Sequence, residues 1–322
     1  MRWIVLAAVL VAAAILGVGL LAPTSRAPMD DAASFASGRP PEPLPASPLQ
    51  TRMAPGYGAA RTEDCVDAPR FADAAARNAE GIDTLPFAPF RRPETGWRVY
   101  APHIAVEIGS SCAWDSTGFA NALAGWQRAN GLPPTGVLDA ATFEVMRVRW
   151  HLKRPFVILN RTIGCPPPPP PEALASADPG EVYGSAPLQA RADALAALRR
   201  MTADARAQDP AIARDRQALL IFSGYRSPEA NDLTCLVPGA CDNVSRAPCS
   251  AHRTGLAFDL VVGAAPGGRV DSTEDFNRLA QSQTPAYRWM VRNAHRYGFV
   301  NYVFEPWHWE WSPPEQRGAT RA

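Results

Sequence analysis

Ser250 to Val262 reads SAHRTGLAFDLVV. Gly255 can turn the chain without a side-chain penalty. From Gly255 to Val262 the residues are apolar and suit a buried strand, except Asp259, which sits between Phe258 and Leu260. A carboxylate inside a strand needs a cation, a metal or several hydrogen bonds, because an unpaired one costs several kcal/mol. His252 precedes it in the same stretch, on the other side of the turn. Working outward, QALLIFSGYRS predicts a strand over Ala218–Phe222 that runs into a Ser-Gly turn, and Leu188–Ala207 and Phe276–Tyr297 read as helices. NYVFEPWHWEW, Asn301–Trp311, closes the series with a strand pattern. This mixed order predicts an α+β domain built on an antiparallel sheet.

Of the 5 histidines, His252 and His308 are the two of this region with carboxylates close by. Two imidazoles and one carboxylate make a catalytic zinc set that leaves a fourth position open. No H-E-x-x-H helix supplies them. Each piece alone has a plainer explanation. A single histidine on an aromatic strand is more often a hydrogen-bonded core residue, and Arg226 after SGY is by itself a solvated turn arginine. Glu305 and Glu310 both flank His308. On an ideal strand Glu310 shares the face of His308 and Glu305 does not, although Pro306 can break that alternation.

Taken together, SGYRS, SAHRTGLAFD and EPWHW, in this order, resemble the zinc D-alanyl-D-alanine carboxypeptidase family of the vancomycin-resistance type, among the LAS-type wall peptidases of peptidase family M15. The resemblance covers roughly 218–311, and its S-x-H-x-x-G-x-A-x-D element matches at Ser250, His252, Gly255, Ala257 and Asp259. It implies one zinc ion held by His252, Asp259 and His308. It implies Glu305 as the catalytic residue that takes a proton from the attacking water and hands it to the leaving amine. Arg226 matches the arginine that polarises the scissile carbonyl or holds substrate charge, and Ser250 the hydroxyl that helps bind a terminal carboxylate. Trp307 and Trp309 are expected to pack the sheet. The sequence departs from the pattern in NDLTCLVPGACDNVSRAPC, which places three cysteines between Arg226 and His252; a disulfide-braced loop beside the cleft is expected there.

Upstream, Phe119, Leu123 and Trp126 fall at helical spacing, Asn130-Gly131 stops that helix, PPTG turns the chain, and Asp139 suits the N-cap of a second helix carrying Phe143 and Met146. WQRANGLPPTGVLDAATF resembles the second half of the peptidoglycan-binding domain found beside cell-wall hydrolases, with matches at Gln127, Gly131, Gly136, Asp139 and Thr142. That resemblance implies a small three-helix unit; Cys65 to Cys112 does not match it. Two proline-rich breaks frame the unit. Pro23 to Ala60 holds eight prolines without periodicity, and Cys165 is followed by six in a row, which force polyproline II. Both are expected as spacers, the second in preference to a ligand for an SH3-type module. The expected organisation is 1–23 signal anchor or signal peptide, 24–62 linker, 63–162 helical domain, 163–186 linker and 187–322 peptidase domain.

Lys plus Arg number 32 against 31 Asp plus Glu, so no global field recruits nucleic acid or anionic lipid. An uncharged apolar run over residues 3–22 is long enough to cross a bilayer. Pro28 after the small-residue site SRA is a poor context for cleavage, which favours a retained anchor. The chain is then exported to the cell envelope or periplasm. Six cysteines in an oxidising compartment suggest up to three disulfides; the wide spacing of Cys235, Cys241 and Cys249 before His252 argues against a zinc knuckle. The expected activity is zinc-dependent removal of a terminal D-alanine from peptidoglycan stem peptides. An endopeptidase cutting cross-links or an L,D bond is the alternative, and a non-catalytic wall-binding scaffold the rival from another class.

Overall fold

In the computed structural model, residues 65–237, 241–244 and 246–314 are described. Among them no helix is long and apolar enough to cross a membrane. The expected anchor at 1–23 and the linker at 24–62 lie outside the described residues.

The first half is helical. α1 (Ala72–Thr84) leads into a two-residue antiparallel ladder of β1 (Pro86–Phe87) and β2 (Glu94–Thr95). Then come α2 (Ala101–Glu107), α3 (Thr117–Ala129), α4 (Ala140–Leu152) and α5 (Pro155–Ile163). The expected three-helix unit is thus larger, with five helices among the described residues. Two of them have the expected origin. Phe119 and Leu123 bury one face of α3, and the Asp139 carboxylate caps α4 by accepting from Thr142 N at 2.7 Å.

The residues that carry the wall-binding resemblance are spent on folding this half. Gln127 is buried; its Nε2 donates to Val137 O and Thr142 Oγ1, both at 3.0 Å, and its Oε1 accepts from Gly136 N at 2.8 Å. Asn78 of α1 holds the other side of the same turn, donating to Gly136 O and accepting from Leu138 N, both at 2.8 Å. Gly136 has φ +70°, and a Cβ there would stand 2.6 Å from Ala120 O. Gly136→Ala is therefore expected to cost more than about 1 kcal/mol, from left-handed backbone strain and the clash together. A lowered denaturant midpoint would register it, and an unchanged midpoint would refute it.

The second half begins within the expected spacer. β3 (Leu174–Ser176) pairs with β4 (Gln189–Arg191), Val182 bridges to Ile221, and Cys165 is bonded to Cys249. Residues 163–186 are therefore tied to the domain they precede, because Ala175, Ala177 and Leu188 have apolar surface to bury against it. Next come α6 (Ala192–Gln208), α7 (Pro210–Arg214), β5 (Ile221–Ser223), α8 (Pro228–Cys235) and β6 (Ala257–Leu260). α9 (Asp275–Ser282), α10 (Pro285–Asn293), β7 (Phe299–Asn301) and β8 (His308–Trp311) complete it. The single helix expected over Phe276–Tyr297 breaks at Thr284-Pro285. Thr284 Oγ1 caps α10 by accepting from Tyr287 N at 3.2 Å, and proline cannot supply the N–H a continuous helix would need.

One four-stranded antiparallel sheet, in the order β5-β6-β8-β7, carries the domain. The mixed α+β expectation holds. The cysteines pair as Cys65–Cys112, Cys165–Cys249 and Cys235–Cys241, so the expected braced loop has one bridge of its own and one to the segment that follows α5.

NYVFEPWHWEW is a hairpin rather than one strand. β7 ends at Asn301, residues 302–307 turn, and β8 starts at His308. Pro306 has no N–H for a ladder, and the Asn301 side chain closes the turn by donating to Glu305 O at 3.1 Å and His308 O at 2.8 Å. The turn divides its apolar residues between two cores. Trp307, Trp309 and Trp311 pack with α6, α10 and the sheet, as expected for the tryptophans. Val303 and Phe304 instead enter the core of the helical half, beside Phe90, Tyr100 and Phe143.

Candidate metal centre

Strand register assembles the site. Asp259 on β6 lies directly opposite His308 on β8 and Ser223 on β5, and residues facing each other across a ladder share one face of the sheet. His252 reaches the same point from a short 3-10 helix over Ala251–Thr254. Ser250 Oγ caps that helix by accepting from His252 N at 3.3 Å. Gly255, with φ +68°, ends it and turns the chain into β6, as its place in the sequence predicts.

The donor atoms converge on Asp259. Its carboxylate oxygens stand 3.2 Å from His252 Nε2 and 2.9 Å from His308 Nδ1. One ligand atom from each of the three buried side chains lies within 4.8 Å of the others. The outer nitrogen of each ring is also held. His252 Nδ1 is 2.7 Å from Gly224 O, and His308 Nε2 is 3.3 Å from Glu310 Oε1. A carbonyl oxygen can only accept, so Nδ1 of His252 carries the proton and a neutral His252 turns its Nε2 lone pair toward a carboxylate. Burial drives His252 toward that neutral form, against the pull of Asp259. At His308 the Glu310 carboxylate accepts from Nε2–H, which leaves Nδ1 facing Asp259. Burial opposes a charge there, but Asp259 and Glu310 outweigh it and raise His308 to about 9.

Two imidazole lone pairs aimed at one carboxylate repel unless a cation lies among them. A proton on His308 relieves one contact and leaves the other. A metal ion relieves both, and outer-nitrogen hydrogen bonds of this kind are how proteins orient metal-ligating histidines. The residues fit a metal, and the nitrogen and carboxylate donors suit zinc.

Around this triangle lies a cleft of about 810 Å³, and all six residues singled out in the sequence line it. Glu305 Oε2 stands 4.0 Å from His308 Nδ1, and burial pushes its carboxyl up to about 8. Arg226 donates from Nη2 to Ser250 Oγ at 3.2 Å, while its buried Nε has no hydrogen-bond partner among the described residues. Glu310 does share the sheet face of His308, as ideal alternation predicts, but its carboxylate is already taken. Arg154, the N-cap of α5, donates to Oε1 from Nε at 2.8 Å and from Nη2 at 2.5 Å, and Phe156 N donates to Oε2 at 2.9 Å. Burial alone would raise this carboxyl; Arg154 and His308 reverse that and hold it near 2.

Sequence reading missed the partners of these residues. Gly224 acts through its backbone, which no residue type announces. Arg154 and Asn301 carry no motif, and Arg154 lies 156 positions from Glu310.

Residues 188–314 match the family described as D-alanyl-D-alanine carboxypeptidase, and residues 114–146 match a putative peptidoglycan binding domain. No curated protein matches the chain. Among solved structures, the LdcB LD-carboxypeptidase is similar at 23% identity, over 47% of this chain and 73% of that one, with a TM-score of 0.33.

Proposed function

We propose that this chain is a zinc-dependent peptidase of peptidoglycan stem peptides that removes a terminal D-alanine. One observation carries the reading above all: two oriented imidazoles and a carboxylate converge in a cleft where the buried carboxyl of Glu305 stands 4.0 Å from His308 Nδ1. The match of residues 188–314 to a D-alanyl-D-alanine carboxypeptidase family supports the same chemistry. His252 Nε2, Asp259 and His308 Nδ1 would hold the ion. Bound there, zinc supplies Lewis acidity toward the scissile carbonyl and makes water a nucleophile near neutral pH.

The chain's own groups do the rest. Glu305 takes a proton from the attacking water and delivers it to the leaving amine. Its carboxyl is pushed up by burial, and the charge of a bound cation opposes that rise, which brings it into the range a proton shuttle needs. Arg226, with an unused N–H beside Ser250, offers a charged donor pair for the carboxylate that ends a stem peptide. That pair favours a carboxypeptidase over an endopeptidase, because an internal bond presents no terminal carboxylate. A scaffold with a structural metal needs neither Glu305 nor Arg226 in the cleft. The apolar run at 3–22 and the proline-rich stretch after it support export and tethering at the membrane.

Mass spectrometry of muropeptides after incubation with the full chain, with and without a chelator, tests the reading. Loss of one alanine that the chelator abolishes is expected. Conversion of cross-linked dimers to monomers would assign an endopeptidase instead, and unchanged muropeptides would remove the enzyme reading.

A further inference from the structure

The turn that carries Glu305 is moulded by the helical half from three sides. From below, Val303 and Phe304 are buried in that half's own core, with the Phe304 ring 5.0 Å from Phe90. Arg278 of α9, fully buried, adds a link at the same residue. It donates from Nε to Phe304 O at 2.8 Å and from Nη2 to Tyr100 Oη at 2.5 Å, and Tyr100 donates in turn to Glu94 at 2.7 Å.

From one end, Asn301 clamps the turn by donating to Glu305 O and His308 O. Those two bonds use its amide nitrogen, so its Oδ1 must accept. His103 of α2 supplies the nearer donor, with Nε2 2.9 Å away, and Tyr287 Oη of α10 a longer one at 3.4 Å. Burial lowers His103 to about 4, so it stays neutral near pH 7 and adds no charge to the site.

From the other end, Arg154 and Phe156 N fix both oxygens of Glu310, the group that faces His308 Nε2. The Cys165–Cys249 bridge ties the chain just after α5 to the residue before Ser250.

We propose that the helical half is the positioning shell of the metal centre and of the Glu305 turn, with Arg154 and His103 as positioning residues that act through Glu310 and Asn301. The inference rests on the metal-peptidase reading but concerns a different part of the chain. On this account the helical half is a working component of the peptidase, whatever it binds in the wall. Outer partners of metal-ligating histidines typically carry 10–100-fold in metal affinity or activity.

The test uses the full chain, zinc as the probe in a chelator competition, and a soluble peptide ending in D-Ala-D-Ala for kinetics. Arg154→Met is expected to weaken zinc by about 10–100-fold and to lower kcat similarly, with KM within about twofold; Arg154→Lys should recover part of both. His103→Leu should lower kcat by about 10-fold with little change in zinc affinity, and His103→Gln, which keeps a donor, should restore it. Arg98→Gln, which breaks an exposed pair with Asp83 in the same half, should change neither. Arg154→Met leaves Glu310 buried without its cation and can fail to fold; His103→Leu removes no charge and then decides alone. Folded variants with zinc affinity and kcat within about twofold of wild type would overturn the proposal. A wild-type chain that binds zinc yet cleaves no peptide would refute the enzyme reading instead, and the zinc titrations would still report on positioning.

Discussion

Glu305→Gln is expected to lose about 10²–10⁴-fold in kcat while retaining zinc at the wild-type level, because a positioned proton carrier supplies that much of the rate. The substitution keeps the volume and hydrogen-bonding capacity of the side chain and removes only its ability to exchange a proton. The turn should survive it, since the bonds that close the turn come from the Glu305 backbone: its N–H donates to Tyr302 O at 2.8 Å and its carbonyl accepts from Asn301 at 3.1 Å. Among the described residues no hydrogen-bond donor to the carboxyl would be orphaned by the substitution. Steady-state kinetics beside metal analysis of the same preparation separates the roles. A fully active Glu305→Gln enzyme would sink the assignment. Glu310→Gln is the control that tells the two carboxylates apart. Glu310 is bonded to Arg154, Phe156 N and His308 Nε2, so its amide should weaken zinc and activity together, where Glu305→Gln spares zinc.

His252→Ala is expected to remove zinc and turnover together. Asp259 and His308 would remain as a two-donor set, one short of the three protein ligands that catalytic zinc sites use. His252 also receives no support that another residue could inherit, because its Nδ1 is held by a backbone carbonyl, Gly224 O, at 2.7 Å. Chelator-treated wild type should match the variant in activity, and added zinc should restore the wild type but not the variant. Recovery of His252→Ala by zinc at concentrations near those that restore wild type would mean that the ligand set is drawn wrongly.

The legible parts of this molecule are those whose cause is local. Gly255 must turn, Asp139 must cap, and an aspartate between Phe258 and Leu260 must have a partner; sequence names each residue, and register brings Asp259 and His308 face to face. Glu305 was readable only because a family pattern opposed ideal strand alternation. In the structure Glu305 belongs to a turn, where alternation does not apply, and Glu310 obeys the alternation and is paired with Arg154. What sequence could not carry is long-range pairing. His103 and Asn301 are 198 positions apart, and neither residue type is unusual where it stands. Six cysteines admit many pairings, and only the fold selects the one that links Cys165 to Cys249. The proline run misled for a related reason. Polyproline II describes the local backbone and says nothing about what the segment rests on.

The division of one hairpin turn between two cores also sets a timetable. A ribosome makes the helical half first, and domains ordinarily fold in the order they are synthesised. Here the first half waits for Val303 and Phe304 to fill its interior, and the metal centre waits for His308 in the same short segment. A nascent or truncated chain that stops before residue 299 has neither a finished first core nor a second imidazole. Completion of the first core and completion of the donor set therefore fall together, in one short segment, so a chain cut before it carries neither.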